Sequence, residues 1–109
     1  MINISYPPQG AEGGANIGNI STITSNTTLT TAHYVVLCNT TSGTITVTLP
    51  AATNNSRRIY NIKKTDSTGN SITIDGNASE TIDGTLTKSL NLQYESLTII
   101  CDGSNWHII

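Results

Sequence analysis

The chain has 109 residues, enough for one domain built on one core. Charged residues make up only 11% of it and hydrophobic residues 36%, while Thr, Asn and Ser together fill 42 positions. Five Lys and Arg against seven Asp and Glu leave no basic excess for nucleic acid, no apolar run approaches a membrane span, and the low charge argues against disorder.

Residues 1–16 carry Pro7, Pro8, Gly10, Gly13 and Gly14 without a hydrophobic period, and read as an extended lead-in or linker. Met1 to Gly10 has neither the basic nor the apolar region of a secretory signal. Residues 17–109 read as one β domain. Ile17 to Thr24 alternates weakly, and His33 to Cys38 is a continuous apolar run, as expected of a strand buried on both faces. Thr44 to Leu49 alternates strictly, with Ile45, Val47 and Leu49 on one face and three Thr on the other, and Pro50 ends it. Ala51 to Ser56 is a polar loop or a single helical turn. Arg57 to Lys64 is a strand with Tyr60 and Ile62 on one face and Ile59 on the other, and a bulge is expected there.

Thr65 to Asn70 reads as a turn, and Ser71 to Gly76 as a strand ending in Asp-Gly. A shorter copy follows at Thr81 to Gly84. Leu90, Leu92 and Tyr94 alternate, as do Leu97, Ile99 and Cys101, and the break in period between them places a tight turn near Glu95-Ser96. Asp102 to Asn105 is a hairpin signal before a closing strand from Trp106 to Ile109. No window supports a helical period, and Thr and Ile, both β-branched, suit a pleated surface. The expected fold is therefore all-β: a small antiparallel β-sandwich, jelly-roll-like, or a small barrel.

Little in the chain suggests catalysis. His33 and His107 belong to no catalytic or metal motif, and each is better read as structural. The carboxylates are scattered, and the repeated Asp-Gly at Asp75, Asp83 and Asp102 is explained by turn formation rather than by calcium. No phosphate-cradling loop or nucleophile elbow is present, so no enzyme, metal or cofactor is expected. Cys38 and Cys101 fit no zinc or redox motif and read as small buried hydrophobes in the thiol form, with a disulfide as the alternative. Asn-X-Ser/Thr occurs at Asn3, Asn19, Asn26, Asn39, Asn54 and Asn77, as composition alone would supply, and none is read as glycosylated.

Arg57-Arg58 and Lys63-Lys64 place four of the five basic residues within eight positions. The grouping reads either as solvated strand ends or as a patch for an anion such as an acidic sugar. Trp106, the single tryptophan, is expected to anchor the core. A small domain with few large aromatics buries a modest core. Tyr34 to Leu37, Ile99 to Cys101 and Ile108-Ile109 read as apolar on both faces, which calls for symmetric association.

Several segments together resemble the C-terminal tip modules of bacteriophage tail fibres and tailspikes. They are Thr46-Val-Thr-Leu-Pro-Ala-Ala, Arg58-Ile-Tyr-Asn-Ile-Lys-Lys, Asn70-Ser-Ile-Thr-Ile-Asp-Gly, Glu80-Thr-Ile-Asp-Gly and Ser96-Leu-Thr-Ile-Ile-Cys-Asp-Gly-Ser-Asn-Trp-His-Ile. The likeness spans roughly Thr30 to Ile109 and consists of strand and turn motifs. It implies a homotrimer at the distal end of a fibre in the virion, made in the host cytoplasm without a signal peptide. It also implies recognition of a bacterial surface polysaccharide or outer-membrane component, with residues 1–16 as the shaft junction. The His-X-His iron-binding repeat of certain fibre tips is missing, so no metal is implied.

The expected function is a noncatalytic receptor-binding tip acting as a homotrimer. The candidate contacts are Arg57, Arg58 and Tyr60, then Tyr94 and Asn55; Val36, Ile100, Trp106 and Ile109 are candidates for the core or the trimer interface. Neither nucleic-acid binding nor membrane insertion is expected. The alternatives are a structural trimerisation or folding cap, and a monomeric carbohydrate-binding module.

Overall fold

The computed structural model describes residues 18–109; the lead-in expected over 1–16 lies outside them. Nine strands follow one another: β1 (Ile20–Ile23), β2 (Thr27–Thr28), β3 (Val35–Cys38), β4 (Ile45–Thr48), β5 (Ile59–Lys64), β6 (Ile72–Asp75), β7 (Thr87–Leu90), β8 (Ser96–Cys101) and β9 (Trp106–Ile108). They form a five-stranded sheet in the order β1-β3-β5-β8-β9 and a four-stranded sheet in the order β2-β4-β6-β7. There is no helix among the described residues.

Both sheets are mixed, which corrects the expectation of an antiparallel jelly roll. β1, β3 and β5 run parallel, and so do β2, β4 and β6. The chain therefore alternates between sheets, laying one strand in each, for three successive turns of a coil. It then folds back: β7 is antiparallel to β6, β8 to β5, and β9 to β8. Alternation of buried and exposed residues is identical for parallel and antiparallel neighbours, so the period that marks each strand carries no information on its partner's direction. A parallel pair needs a crossover, and here the opposite sheet's strand supplies it.

Alternation places the core. Val36 and Cys38 of β3, Ile45 and Val47 of β4, Tyr60 and Ile62 of β5, Ile72 and Ile74 of β6 and Ile99 and Cys101 of β8 are all buried. Leu29, Leu49, Ala52, Ile82, Leu90 and Trp106 complete the same cluster, to which both sheets contribute. The apolar run in β3 is not buried on both faces, because Val35 and Leu37 point away from the core and stay half-exposed. Ile100 is likewise on the outer face, opposite Ile59. Ile109 is 67% exposed and does not belong to the core, whereas Val36 and Trp106 do. Trp106 stacks on Tyr60 with ring centroids 5.7 Å apart.

The turns follow local chemistry. Between β1 and β2 the Asn26 side chain accepts the N–H of Thr46 in the next coil at 2.8 Å. The expected bulge sits immediately before β5. Arg57 N–H donates to Cys101 C=O at 2.7 Å while Cys101 N–H donates to Arg58 C=O at 2.9 Å. Two residues thus oppose one, with Arg57 at φ 71°. Gly84 and Gly103 adopt positive φ as Asp-Gly turns suggest. Gly76 is glycine for another reason: a Cβ there would lie 2.3 Å from the Glu80 carbonyl oxygen. Thr81 to Gly84 is not a full strand; Ile82 makes isolated bridges to Thr85 and Trp106. The turn before β8 comes earlier than expected. Leu92 and Tyr94 lie in it, so they do not extend the alternation of Leu90.

Cys38 pairs across the ladder with Lys64 at one end of β5, and Cys101 lies opposite Arg58 at the other. Both are free, buried thiols. Burial pushes Cys38 up to about 12 and raises Cys101 as well, only partly offset by the Gly103 N–H. Neither forms the thiolate that attacks a disulfide reagent. At pH 8 the native protein should leave an aromatic disulfide reagent unreacted, with both thiols titrating once it is unfolded in denaturant. A thiol that reacts at the native plateau would show that its end of the sheet opens.

Candidate binding surface

The four basic residues grouped by sequence are separated by the fold. Strand alternation sends Lys63 outward and Lys64 inward, on the same face as Tyr60 and Ile62. Lys64 is fully buried, and its ammonium donates to the Asp66 carbonyl at 3.0 Å, to Asp66 Oδ2 at 3.0 Å and to the Thr68 carbonyl at 2.9 Å. All three of its protons are thus used. Asp66 in turn accepts from Thr40 N–H at 2.6 Å and Thr40 Oγ1 at 2.9 Å, and from the N–H and hydroxyl of Thr68. Burial would raise the Asp66 pKa. The hydrogen bonds from Thr68, Thr40 and Lys64 prevail and hold it well below the usual carboxylate range. This polar knot closes the corner between β5 and β6 and ties it to the corner that follows β3. It is structural, and it removes Lys64 from any surface patch.

Tyr60 also leaves the list of contacts. It is fully buried, and its hydroxyl donates to the Thr30 carbonyl at 2.8 Å. Arg57 is exposed and Arg58 half-buried, with Arg58 Nε donating to Asn55 Oδ1 at 3.2 Å. Asn55 is further tied to the Ala51 carbonyl at 2.7 Å. These three residues therefore do meet, at the Cys101 end of β5. Tyr94 does not join them; it lies beside Lys63, at the opposite end of the strand.

The turn that carries Tyr94 is firmly held. Tyr94 N–H donates to Lys64 C=O at 2.7 Å, and Lys64 N–H to Glu95 C=O at 3.0 Å. The Glu95 carboxylate accepts the N–H groups of Asn91 at 2.7 Å and Leu92 at 3.1 Å, which lowers its pKa. Gln93 Nε2 donates to the Thr65 carbonyl at 3.2 Å. On this scaffold Leu92 and Tyr94 project into solvent, 72% and 63% exposed. Lys63 Nζ lies 5.4 Å from the Tyr94 ring centroid, within cation–π range. Tyr94 has φ 68°, a left-handed conformation that costs a residue with a Cβ about 1–2 kcal/mol. Glycine or asparagine would fit the turn better. The tyrosine is neither buried nor conformationally favoured where it stands.

The histidines are accounted for locally. His33 Nδ1 accepts the Thr30 N–H at 3.0 Å. His107 Nε2 lies 2.7 Å from Asp102 Oδ2, and Nδ1 lies 3.8 Å from Asp83 Oδ1. Asp102 is brought down to about 2 by the N–H of Asn105, the His107 ring and the N–H of Ser104, which marks it as a turn-stabilising carboxylate. Among the described residues no group of three His, Cys, Asp or Glu is placed to hold a metal ion.

The pairing of Lys63 with Tyr94 escaped the sequence reading, which grouped basic residues by nearness along the chain. The period of two that puts Tyr60 and Ile62 on one face also puts Lys64 there, and this was the signal that could have divided the pair. No family model matches the chain, and no curated protein matches it significantly in sequence.

Proposed function

We propose that the domain is the noncatalytic receptor-binding tip of a phage tail fibre, acting as a homotrimer on a bacterial surface polysaccharide or outer-membrane component. The observation that carries this reading is the difference between the two ends of the coil. Among the described residues, β1 and β2 are the edge strands at one end of the two sheets. Neither contains a proline or a charge, and from Gly18 to Ser56 there is no Asp, Glu, Lys or Arg at all. Such edges invite further strands. At the other end the antiparallel β7, β8 and β9 stop the coil. The Ile82 bridge covers β9 at Trp106, and β7 carries Lys88. A body that can be extended at one end and is finished at the other suits the last module of an elongated assembly.

The half-exposed apolar residues on the outer face of the five-stranded sheet, Val35, Leu37, Ile59 and Ile100, favour association side by side. Three copies would multiply weak individual contacts into useful avidity. The antiparallel finish equally favours the second reading, a folding cap that registers three chains and leaves adhesion to another part of the fibre.

Light scattering on a sizing column tests the assembly, and retention of the labelled domain on a panel of bacterial cells tests its role. The expected result is a mass near three chains, unchanged on dilution, with retention on a subset of strains. A trimer retained on none would favour the cap. A single-chain mass would overturn the trimer and leave a monomeric binding module.

A further inference from the structure

We propose that the corner formed by Lys63, Tyr94 and Ser96 is a subsite for an acidic saccharide. A pyranose ring would lie against the exposed Tyr94 side chain, with its carboxylate on Lys63 Nζ. The proposal rests on the receptor-binding reading above and specifies its ligand and its place.

Three independent observations converge on this corner. First, it is the one place among the described residues where a cation lies over an aromatic ring. Tyr60 and Trp106 are buried, and the ring of Tyr34 packs on Gly18. Second, Lys63 has no carboxylate partner among the described residues, whereas its neighbour Lys64 has all three protons bound. An unpaired ammonium beside an aromatic side chain suits a ligand that offers both an anion and an apolar ring face. Third, the turn is ordered before any ligand arrives. The Glu95 carboxylate and the two backbone bonds to Lys64 fix it, although Tyr94 is held in an unfavourable conformation. A strained and exposed aromatic on a rigid support is the pattern of a contact residue kept for what it touches.

Ser96 is exposed and stands directly across the ladder from Lys63, so its hydroxyl is on the same face of the sheet and open to hydrogen bonding by the sugar. Leu92, two residues before Tyr94 in the same turn, adds exposed apolar surface. A neutral glycan would leave Lys63 unused. A peptide ligand would call for a groove or an open strand edge. β8 is paired with β5 from Ser96 onward and with β9 over Ile99–Cys101, with Thr98 C=O also taken by Ile109 N–H, so only Ser96 and Leu97 have a free edge, too short to hold an added strand.

The test uses the full chain, with a short oligogalacturonate and its methyl-esterified, uncharged form as probes. Binding is followed by titration calorimetry and by amide chemical shifts. The acidic form should bind with shifts centred on Lys63, Tyr94 and Ser96, and the ester at least tenfold more weakly. Lys63→Met should lose at least tenfold for the acidic form only. Tyr94→Asn should abolish binding while raising Tm by a few degrees, because asparagine accepts the left-handed conformation. Binding and stability thus move in opposite directions, as they would not for a structural tyrosine.

Equal binding of both probes, shifts centred on Arg57 and Arg58, or unchanged binding by Tyr94→Asn would each overturn the proposal. Cell retention separates it from the wider reading. Retention that survives both substitutions sinks the subsite and keeps the receptor-binding function. Oligogalacturonate binding at this corner by a monomer retained on no cells keeps the subsite and sinks the fibre tip.

Discussion

Replacing Lys64 with methionine should destabilise the domain by about 3 kcal/mol, the usual cost of removing one member of a buried ion pair. For a domain of this size that lowers Tm by more than about 10 °C. The stem of Lys64 would be matched in shape, so the loss comes from the ammonium. Two backbone carbonyls, of Asp66 and Thr68, would lose their donor, and Asp66 Oδ2 would lose its counter-charge. Arginine should not rescue the site, because a planar guanidinium cannot point its protons at three acceptors arranged around a point charge. Adding Asp66→Ala to Lys64→Met should recover part of the loss, since neither charge is then left alone. Thermal melts of the three variants check this, and a Lys64→Met protein within about 1 kcal/mol of wild type would contradict the account.

The same knot sets the acid response. Asp66 is held below the ordinary carboxylate value of about 3.9. A depressed carboxylate contributes stability that is fully present above its unfolded-state value and lost as pH falls toward its folded one. Stability from Asp66 should therefore be level above about pH 5 and decline below about pH 4. In Lys64→Met one of the groups that holds the proton off is gone, so the decline should be shallower.

How much of this was legible in the chain depended on which physical signal each feature left. Ile45, Val47 and Leu49 alternate strictly with threonine, and all three are buried in the core. Tyr60 and Ile62 were correctly placed on one face of β5, and the Asp102 to Asn105 hairpin formed where its turn residues required it. Strand direction left no such mark. The corners that join the sheets are built from Asn, Thr, Ser and Gly, as hairpin turns are, so a coil and a meander look alike in sequence.

The candidate site was hidden for a related reason. Tyr94 seemed to continue the alternation of Leu90 and Leu92, a pattern of a strand, yet its backbone takes up a turn. Lys63 and Lys64 looked equivalent as a charged pair, yet one is wholly in the core and the other at the surface. What decides between them is the face assigned to Tyr60, four residues before Lys64. From the sequence Tyr60 can go either way, since tyrosines serve both roles, and it stands among the candidate receptor contacts. Burial of its ring against Trp106 and the bond from its hydroxyl to Thr30 decide the matter in favour of the core.

Trp106 should give the largest single loss of stability in the domain when truncated, and a small one when replaced by a smaller ring. Its side chain is the largest among the fully buried ones, and it stacks on Tyr60. Trp106→Ala should cost about 3–5 kcal/mol through lost burial and the cavity left behind. The indole nitrogen is a different matter. Nε1 of Trp106 is buried and makes no hydrogen bond, and a buried donor left unpaired costs about 1–3 kcal/mol. Trp106→Phe deletes that donor along with part of the ring. The smaller cavity and the removed penalty oppose each other, so the net change should lie within about 1 kcal/mol of zero. Denaturant titrations of the two variants distinguish the terms. If phenylalanine costs nearly as much as alanine, the indole N–H has a partner such as a buried water, and the end of the coil near β9 is wetter than its apolar lining implies. If phenylalanine is nearly neutral, the indole N–H is unpaired and its penalty cancels the ring volume that phenylalanine gives up.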